Sequence, residues 1–239
     1  MGISRIALPI ALIAALLLLA SGFGVRLGLW AFPVGFQLMR WAVYLGLGAA
    51  VLALIFLIVP RTRSQHVAAL VVALAVGLAI AWVPWRQLQQ ARALPPIHDI
   101  TTDTSNPPVF VAVLPLRANA PNPATYGGAD IAAAQQEAYA DIRPHRLDVP
   151  TGVAFRRALA AAQAMDWDIV ASDRANGRIE ATATTYWFGF KDDIVVRVAA
   201  AGGGSVVDVR SVSRVGKSDV GTNARRIRAY LRQLDSTKA

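Results

Sequence analysis

The sequence contains no cysteine, and no acidic residue precedes Asp99. Without cysteine the chain can form no disulfide and carry no lipoprotein anchor, and the lack of an HExxH pattern removes another common zinc signature. We therefore predict no metal site and no cofactor, and we assign no catalytic residue. All charged residues before His98 are arginines, whereas basic and acidic residues nearly balance after it. A nucleic-acid-binding module concentrates its positive charge on the folded part, so this distribution argues against such a module and we expect no nucleic acid as a partner.

The chain has three long apolar runs, at residues 6–25, 41–59 and 67–83. An apolar helix needs about 20 residues to cross a bilayer, so each run predicts a transmembrane helix. None of the runs contains a charged residue. Since a charge inside the bilayer usually marks an ion or substrate path, we expect an anchor and not a transporter. We assign residues 1–94 to this anchor in the lipid bilayer and residues 95–239 to a soluble domain.

Arginines near the ends of these runs predict the orientation. Arg61 and Arg63 fall in a very short predicted loop between the second and third runs. Short loops rich in arginine stay in the cytoplasm. We therefore expect a multi-pass protein of the bacterial inner membrane, with a cytoplasmic N-terminus and the C-terminal domain outside the cytoplasm.

The soluble part predicts an α+β domain. Residues 95–128 are rich in Pro, Asn, Thr and Gly, so we expect irregular backbone draped over the rest, before a short helix at 129–139. Residues 151–165 repeat apolar side chains at helical spacing. Four alternating stretches then predict antiparallel strands, and a basic final helix follows. The expected architecture is a four-stranded antiparallel sheet flanked by two helices, with one face covered by helices and the other free.

The last two strands flank the glycine-rich turn AAAGGGS. If this turn closes a hairpin, the alternation places Val196 opposite Val209 and Arg197 opposite Asp208. Opposed unlike charges attract, so we expect a cross-strand ion pair. In the first strand pair, Asn176-Gly177 predicts a tight turn, and Ile169 and Ala171 are expected to point inward.

These two strands and the segment after them carry a family resemblance. The runs GFKDDIVVRV and VDVRSVSRVGKSDVGTNARRI resemble the closing motif of the family called domain of unknown function 1499, and IHDITTD resembles its opening motif. The resemblance covers residues 95–234 and implies no activity, ligand or partner, since none is established for the family. From its polar positions we name one candidate binding cluster, which consists of Asp193, Arg197, Asp208, Arg210, Ser211, Ser213, Arg214, Asp219, Asn223 and Arg226.

Three chemical motifs are weaker. SVSRVGKS ends like a phosphate-binding P-loop, but Ser211 replaces its first glycine, so a turn capped by Ser218 or Asp219 is the better interpretation. His98, Asp99 and Asp103 could approach a serine to form a hydrolase triad, but their order and spacing in the chain do not support one. The neighbouring acids Asp192 and Asp193 point to opposite faces of a strand and do not form a paired acid site.

Two functions follow from this sequence. The first is a membrane-anchored, non-catalytic binding or scaffolding module of the bacterial cell envelope, which contacts another envelope protein or anionic lipid headgroups through its polar sheet face and arginine-rich last helix. The second is a membrane-tethered enzyme that uses Asp193, Arg197, Asp208, Arg210 and Arg214 on a phosphorylated or carboxylated substrate.

Overall fold

The computed structural model describes residues 6–237, and of residues 60–65 only the backbone. The chain forms two compact units. The first comprises the N-terminal helices up to Gln89 together with Tyr186–Gly189. The second comprises Gln90–Thr185 and the chain from Phe190 onward.

Three long helices form most of the first unit: α1 (Ala7–Arg26), α2 (Phe32–Ile58) and α3 (Pro60–Ala93). Each contains a stretch long and apolar enough to cross a membrane. Small residues let them pack closely, since a Cβ at Gly77 would lie 2.3 Å from the carbonyl oxygen of Gly46. The chain therefore has three candidate membrane spans, in agreement with the three apolar runs.

The ends of these helices differ from the predicted runs. Helix α2 begins at Phe32, well before residue 41. Pro33 fits its first turn, because the N–H that proline lacks would have no hydrogen-bond partner there in any case. The predicted loop at residues 61–66 is wrong, because α3 begins at Pro60 and its backbone departs from helical geometry only at His66 (φ −141°, ψ 23°). Hydropathy marks where side chains are apolar, whereas backbone hydrogen bonds decide where a helix ends. The side chains of Arg61 and Arg63 lie outside the described residues.

The second unit is built on one antiparallel sheet. Its strands are β1 (Asp99–Thr101), β2 (His145–Leu147), β3 (Asp168–Asp173), β4 (Arg178–Thr184), β5 (Lys191–Ala201) and β6 (Gly204–Ser213). The strand order is β1-β6-β5-β4-β3, and β2 pairs with β6 beside β1. The four predicted strands are confirmed, and two short strands extend the sheet.

Helices cover one face of the sheet, which we call the inner face. They are α4 (Ala129–Ala138), α5 (Thr151–Ala164) and α6 (Thr222–Ser236). The apolar faces of α5 and α6 pack on the alternating inward residues of the strands. Within this core Trp167 stacks on Tyr230 with ring centroids 4.9 Å apart, and the Tyr230 hydroxyl donates to the Ala158 carbonyl. The predicted α+β architecture is therefore confirmed.

The hairpin of β5 and β6 has the predicted register. Val196 pairs with Val209 and Arg197 with Asp208. In the β3–β4 pair the register shifts between Ile169 and Ala171, where a bulge places Ala171 opposite Glu180. The prediction that Ala171 points inward was therefore wrong, because strict alternation does not anticipate the extra residue of a bulge.

The other face of the sheet, the outer face, is not free as predicted. Residues 102–126 lie across it, and Phe110 and Val113 pack there against Val195 and Val212. The expected draping of the irregular segment accounts for this burial. Polar groups beneath it therefore leave water and must pair with one another.

Candidate functional site

The ten residues of the candidate cluster do not form one site. Asp193, Arg197, Asp208, Arg210 and Arg214 contact partners on the outer face, whereas Ser211, Ser213, Asn223 and Arg226 form a separate network on the inner face. Asp219 lies at the start of α6. The division follows from the period of a strand, since neighbouring side chains point to opposite faces.

Asp193 is the centre of the largest outer-face network. Its carboxylate is fully buried and accepts hydrogen bonds from Thr182 Oγ1 (2.8 Å) and Arg117 Nη1 (3.0 Å). Arg214 adds two more, from Nε (2.9 Å) and Nη2 (2.8 Å). Burial lowers the pKa of Arg117, while the charge of Asp193 acts in the opposite direction. Two guanidinium groups thus share one carboxylate away from water.

Arg210 forms the second network and is 1% exposed. Its Nε and Nη2 donate to the two carboxylate oxygens of Asp99, at 2.9 and 2.7 Å, in the bidentate geometry that suits a guanidinium. The carbonyls of Pro108 and Ala124 accept the remaining bonds. Burial and the nearby Asp99 raise the pKa of Tyr126 to about 12.

Aromatic rings complete the enclosure of Arg210. Its guanidinium carbon lies 5.1 Å from the centroid of Phe110 and 5.4 Å from that of Tyr126. Such cation–π contacts gain strength when water is excluded. The irregular segment therefore holds Arg210 through two backbone carbonyls and two aromatic rings.

The predicted ion pair of Arg197 and Asp208 is confirmed. Arg197 donates to Asp208 through Nε (3.2 Å) and Nη2 (2.8 Å), and to Asp103 through Nη2 (2.9 Å). The Thr102 hydroxyl donates to the other oxygen of Asp208. We call Asp193, Arg197, Asp208, Arg210 and Arg214 the outer-face cluster. The Arg197 side chain remains 27% exposed, so its pair with Asp208 is the most accessible ion pair of this cluster.

Glu180 holds the irregular segment at a further point. The backbone N–H groups of Val111, Ala112 and Val113 all donate to its carboxylate at 3.0 Å, and Arg178 pairs with it from β4. The carboxylate is fully buried. Successive N–H groups of this kind form a concave anion site, which here is filled by a side chain of the same chain.

The sequence did not indicate Glu180, Asp99 or Arg117 as members of these networks. The alternation of β4 indicates only that Glu180 points away from the inner face, and Arg117 lies in a short 3₁₀ turn (Pro115–Arg117) of the irregular segment. No periodicity relates such a segment to the sheet. Asp99 had one signal, its place in the IHDITTD motif.

The inner-face network joins β6 to α6. The Ser211 hydroxyl donates to Asn223 Oδ1 (2.7 Å), and Asn223 Nδ2 donates to Ser213 Oγ (3.0 Å) and to the His98 carbonyl (3.0 Å). Arg226 donates to Ser211, Asn223 and Asp192. Both serine hydroxyls are therefore engaged in anchoring a helix to the sheet.

Asp219 caps the start of α6, as predicted. Its two oxygens accept the N–H groups of Gly221 (2.8 Å) and Asn223 (2.6 Å), and Ser218 Oγ accepts that of Val220. Burial raises the pKa of Asp219 above its ordinary value, although the two backbone donors act in the opposite direction. The GKS run is thus a capped turn.

The weaker chemical motifs find no geometry that supports them. The Asp99 carboxylate faces Arg210, while His98 Nδ1 lies 3.4 Å from the Lys217 carbonyl. Asp192 and Asp193 bind different arginines on opposite faces. Over residues 6–237, no three histidine or acidic side chains come together as metal ligands would.

Two open surface grooves lie among the described residues of the second unit and show whether the cluster is accessible. The larger, of about 420 Å³, is lined mainly by residues 102–105 and 135–144, and the smaller, of about 350 Å³, by residues near Thr151 and Arg174. Asp193, Arg197, Asp208, Arg210 and Arg214 line neither of these two. The arrangement of the outer-face cluster therefore fits internal charge neutralisation.

Comparison with known proteins covers the same part of the chain. No curated protein matches this sequence. Residues 99–234 match the family described as a protein of unknown function, DUF1499. This match includes every strand of the sheet, the networks around Asp193 and Arg210 on the outer face, the side chains of the inner-face network and nearly all of α6. The chain therefore belongs to the DUF1499 family.

Proposed function

We propose that the protein is a membrane-anchored, non-catalytic binding or scaffolding module of the bacterial cell envelope. The observation that carries the proposal is the pairing of acids and arginines on the outer face. Arg210, Asp193 and Glu180 are each at most 1% exposed, and all have charged partners from the same chain. A catalytic acid or substrate-binding arginine has to reach a ligand, whereas these groups hold a segment on a sheet.

The partner that we favour is another envelope protein. The lipid-headgroup alternative relies on the arginines of α6, and three of these are engaged within the domain. Arg226 binds Asp192, Arg228 binds Asp141, and Arg225 donates to Val220 and Thr222. The larger groove, by contrast, presents hydroxyl and amide side chains such as Ser105 and Gln136 that suit a peptide segment.

The orientation and compartment belong to the same proposal. Arg61 and Arg63 lie in the chain between the candidate spans Phe32–Ile58 and His66–Ala93, and short arginine-rich connections stay in the cytoplasm. We infer from this a cytoplasmic N-terminus and a C-terminal domain outside the cytoplasm of a bacterial inner membrane. A phosphatase that is active only outside the cytoplasm, fused after residue 239, would be active in this topology. An inactive fusion would reverse the assignment.

One observation favours the alternative of an enzyme that acts on a phosphorylated or carboxylated substrate. The Arg197 side chain is 27% exposed and Asp103 is 23% exposed, so an anion could reach this edge of the cluster of Asp193, Arg197, Asp208, Arg210 and Arg214. The full-length protein in lipid nanodiscs would be incubated with chromogenic phosphate and carboxylate esters. We expect no turnover above that of the Asp208→Asn variant.

The matched control is Asp141→Asn, which removes an exposed acid outside the cluster. Turnover by the wild-type chain and by this control, but not by a folded Asp208→Asn variant, would overturn the module and establish the enzyme.

A further inference from the structure

The connection between β4 and β5 carries three consecutive aromatic residues, Tyr186, Trp187 and Phe188, followed by Gly189. These four residues belong to the same compact unit as helices α1 and α2. The Tyr186 side chain is nevertheless exposed, and with 79% relative exposure it is the most accessible large apolar residue described. A water-soluble loop rarely presents such a run, because exposed aromatic surface favours association.

The loop packs against Leu19, Gly22 and Arg26 on the C-terminal part of α1, a site that we call the seat. A Cβ at Gly22 would lie 2.2 Å from the ring of Trp187, so only glycine leaves room for this ring. The indole Nε1 donates to the carbonyl of Leu19 at 3.4 Å, and Arg26 Nη1 donates to the carbonyl of Tyr186 at 2.9 Å.

Further aromatic contacts fix the rings of the loop. Tyr186 meets Phe23 edge to face at 5.7 Å between centroids, and Phe188 lies 5.3 Å from Phe36 of α2. Gly189 has φ +67°, which lets the chain turn close beside Arg26. The loop is therefore held by residues of two candidate membrane spans.

The seat lies at a depth where lipid is expected. Helix α1 has 20 residues, which at about 1.5 Å per residue matches the ~30 Å hydrocarbon thickness of a bilayer. Arg26 at the helix end therefore lies at the boundary between headgroups and acyl chains, and Leu19 and Gly22 lie roughly 6–10 Å below it. Tryptophan and tyrosine concentrate at this boundary between headgroups and acyl chains.

The loop can also reach this depth from the correct side. After three candidate spans the chain emerges on the side of the bilayer where α1 ends. At the base of the loop two backbone N–H groups have internal partners, since Thr185 N donates to the Phe190 carbonyl and Phe190 N donates to Thr185 Oγ1, both at 2.8 Å. Backbone groups at membrane depth require such internal partners.

We propose that Tyr186–Gly189 form an aromatic membrane hook, a loop inserted among lipids at the headgroup–acyl boundary beside the end of α1. Its partner is the lipid bilayer itself. The hook is a membrane contact in addition to the three helices. Its residues lie within residues 99–234, the part of the chain that matches the family.

The lack of cysteine allows a direct test, because a single introduced cysteine is the only thiol. Tyr186→Cys in the full-length chain would be labelled with an environment-sensitive fluorophore and placed in nanodiscs whose lipids carry nitroxide near the headgroup end of the acyl chain. The matched control is Ala175→Cys, in the exposed turn at the far end of β4, about 23 Å away along seven strand residues.

We expect the label at position 186 to emit at shorter wavelength and to lose at least half of its intensity to the nitroxide lipids, while the label at 175 does neither. Equal quenching at the two positions, or none at 186, would overturn the hook. A blue-shifted label at 186 that lipid nitroxide does not quench would show a protein neighbour or second copy in place of lipid, and would overturn it as well.

A second variant tests the seat without altering the loop. Gly22→Leu keeps α1 apolar but fills the space of the Trp187 ring. In this background we expect the quenching at 186 to fall by at least twofold, with no change at 175. Unchanged quenching would mean that α1 does not hold the hook.

Discussion

The buried hydrogen bonds of Asp193 on the outer face predict that this residue stabilises the domain strongly. Asn at this position keeps one oxygen, so it can accept either from Thr182 and Arg214 Nη2 or from Arg117 and Arg214 Nε. Its amide nitrogen then faces the other two donors. Two buried guanidiniums also lose their only shared carboxylate, and breaking a buried ion pair costs about 3–5 kcal/mol.

The assay is urea unfolding of the full-length chain in nanodiscs, followed by pulse proteolysis of the α+β domain. The matched control is Asp141→Asn, because Asp141 and Arg228 form an exposed pair with 58% and 34% exposure. Such surface pairs contribute about 0–1 kcal/mol. Asp193→Asn should therefore lose several times more stability than the control, and Arg117→Met should restore part of the loss by removing one unpaired charge. Equal losses for Asp193→Asn and Asp141→Asn would refute the reasoning.

Three further predictions follow from individual contacts. Glu180→Gln removes a charged acceptor of three N–H groups, which at about 1.5 kcal/mol or more should speed amide exchange at residues 111–113 at least about tenfold; unchanged exchange would contradict this role. Burial raises the pKa of Asp219 above 3.8, so its contribution to stability is complete below that pH and is lost as the pH rises through the raised value. Asp219→Asn should therefore gain in unfolding free energy relative to wild type over that range, and a difference that does not vary with pH would exclude the effect. Gly177→Ala introduces a Cβ at φ +63° and 2.2 Å from the Val198 carbonyl, so the urea midpoint should drop by the equivalent of at least about 1–2 kcal/mol, whereas an unchanged midpoint would show that the turn relaxes.

The sheet and its helices were predictable because their signals are periodic. The pairing of Arg197 with Asp208 followed from alternation and one glycine-rich turn, and the structure confirms it. The bulge before Ala171 was not predictable, since an extra residue leaves no mark in a short strand. Helix ends in the first unit were also missed where polar residues continue a helix beyond its apolar run.

The alternation of the strands predicts which polar side chains share a face, but it does not predict the partners that reach them from the irregular segment. Alternation separates Asp193 from Ser211, yet nothing local indicates that Arg117 reaches Asp193 from a segment 76 residues away. Irregular backbone has no period that relates it to a strand. The aromatic run at Tyr186 was visible in the sequence, but its meaning depends on Gly22, which is more than 150 residues distant.

In the function proposed above, the acids and arginines of the outer face neutralise one another, and the buried groups around Arg210 and Arg214 are closed to ligands. Nuclear magnetic resonance of the arginine Nε–H groups in the full-length chain tests this directly. Arg210 and Arg214 should exchange their Nε protons with water far more slowly than the exposed Arg228, and adding inorganic phosphate should leave their shifts unchanged. Exchange as fast as that of Arg228, together with shifts that move as phosphate is added, would contradict the account.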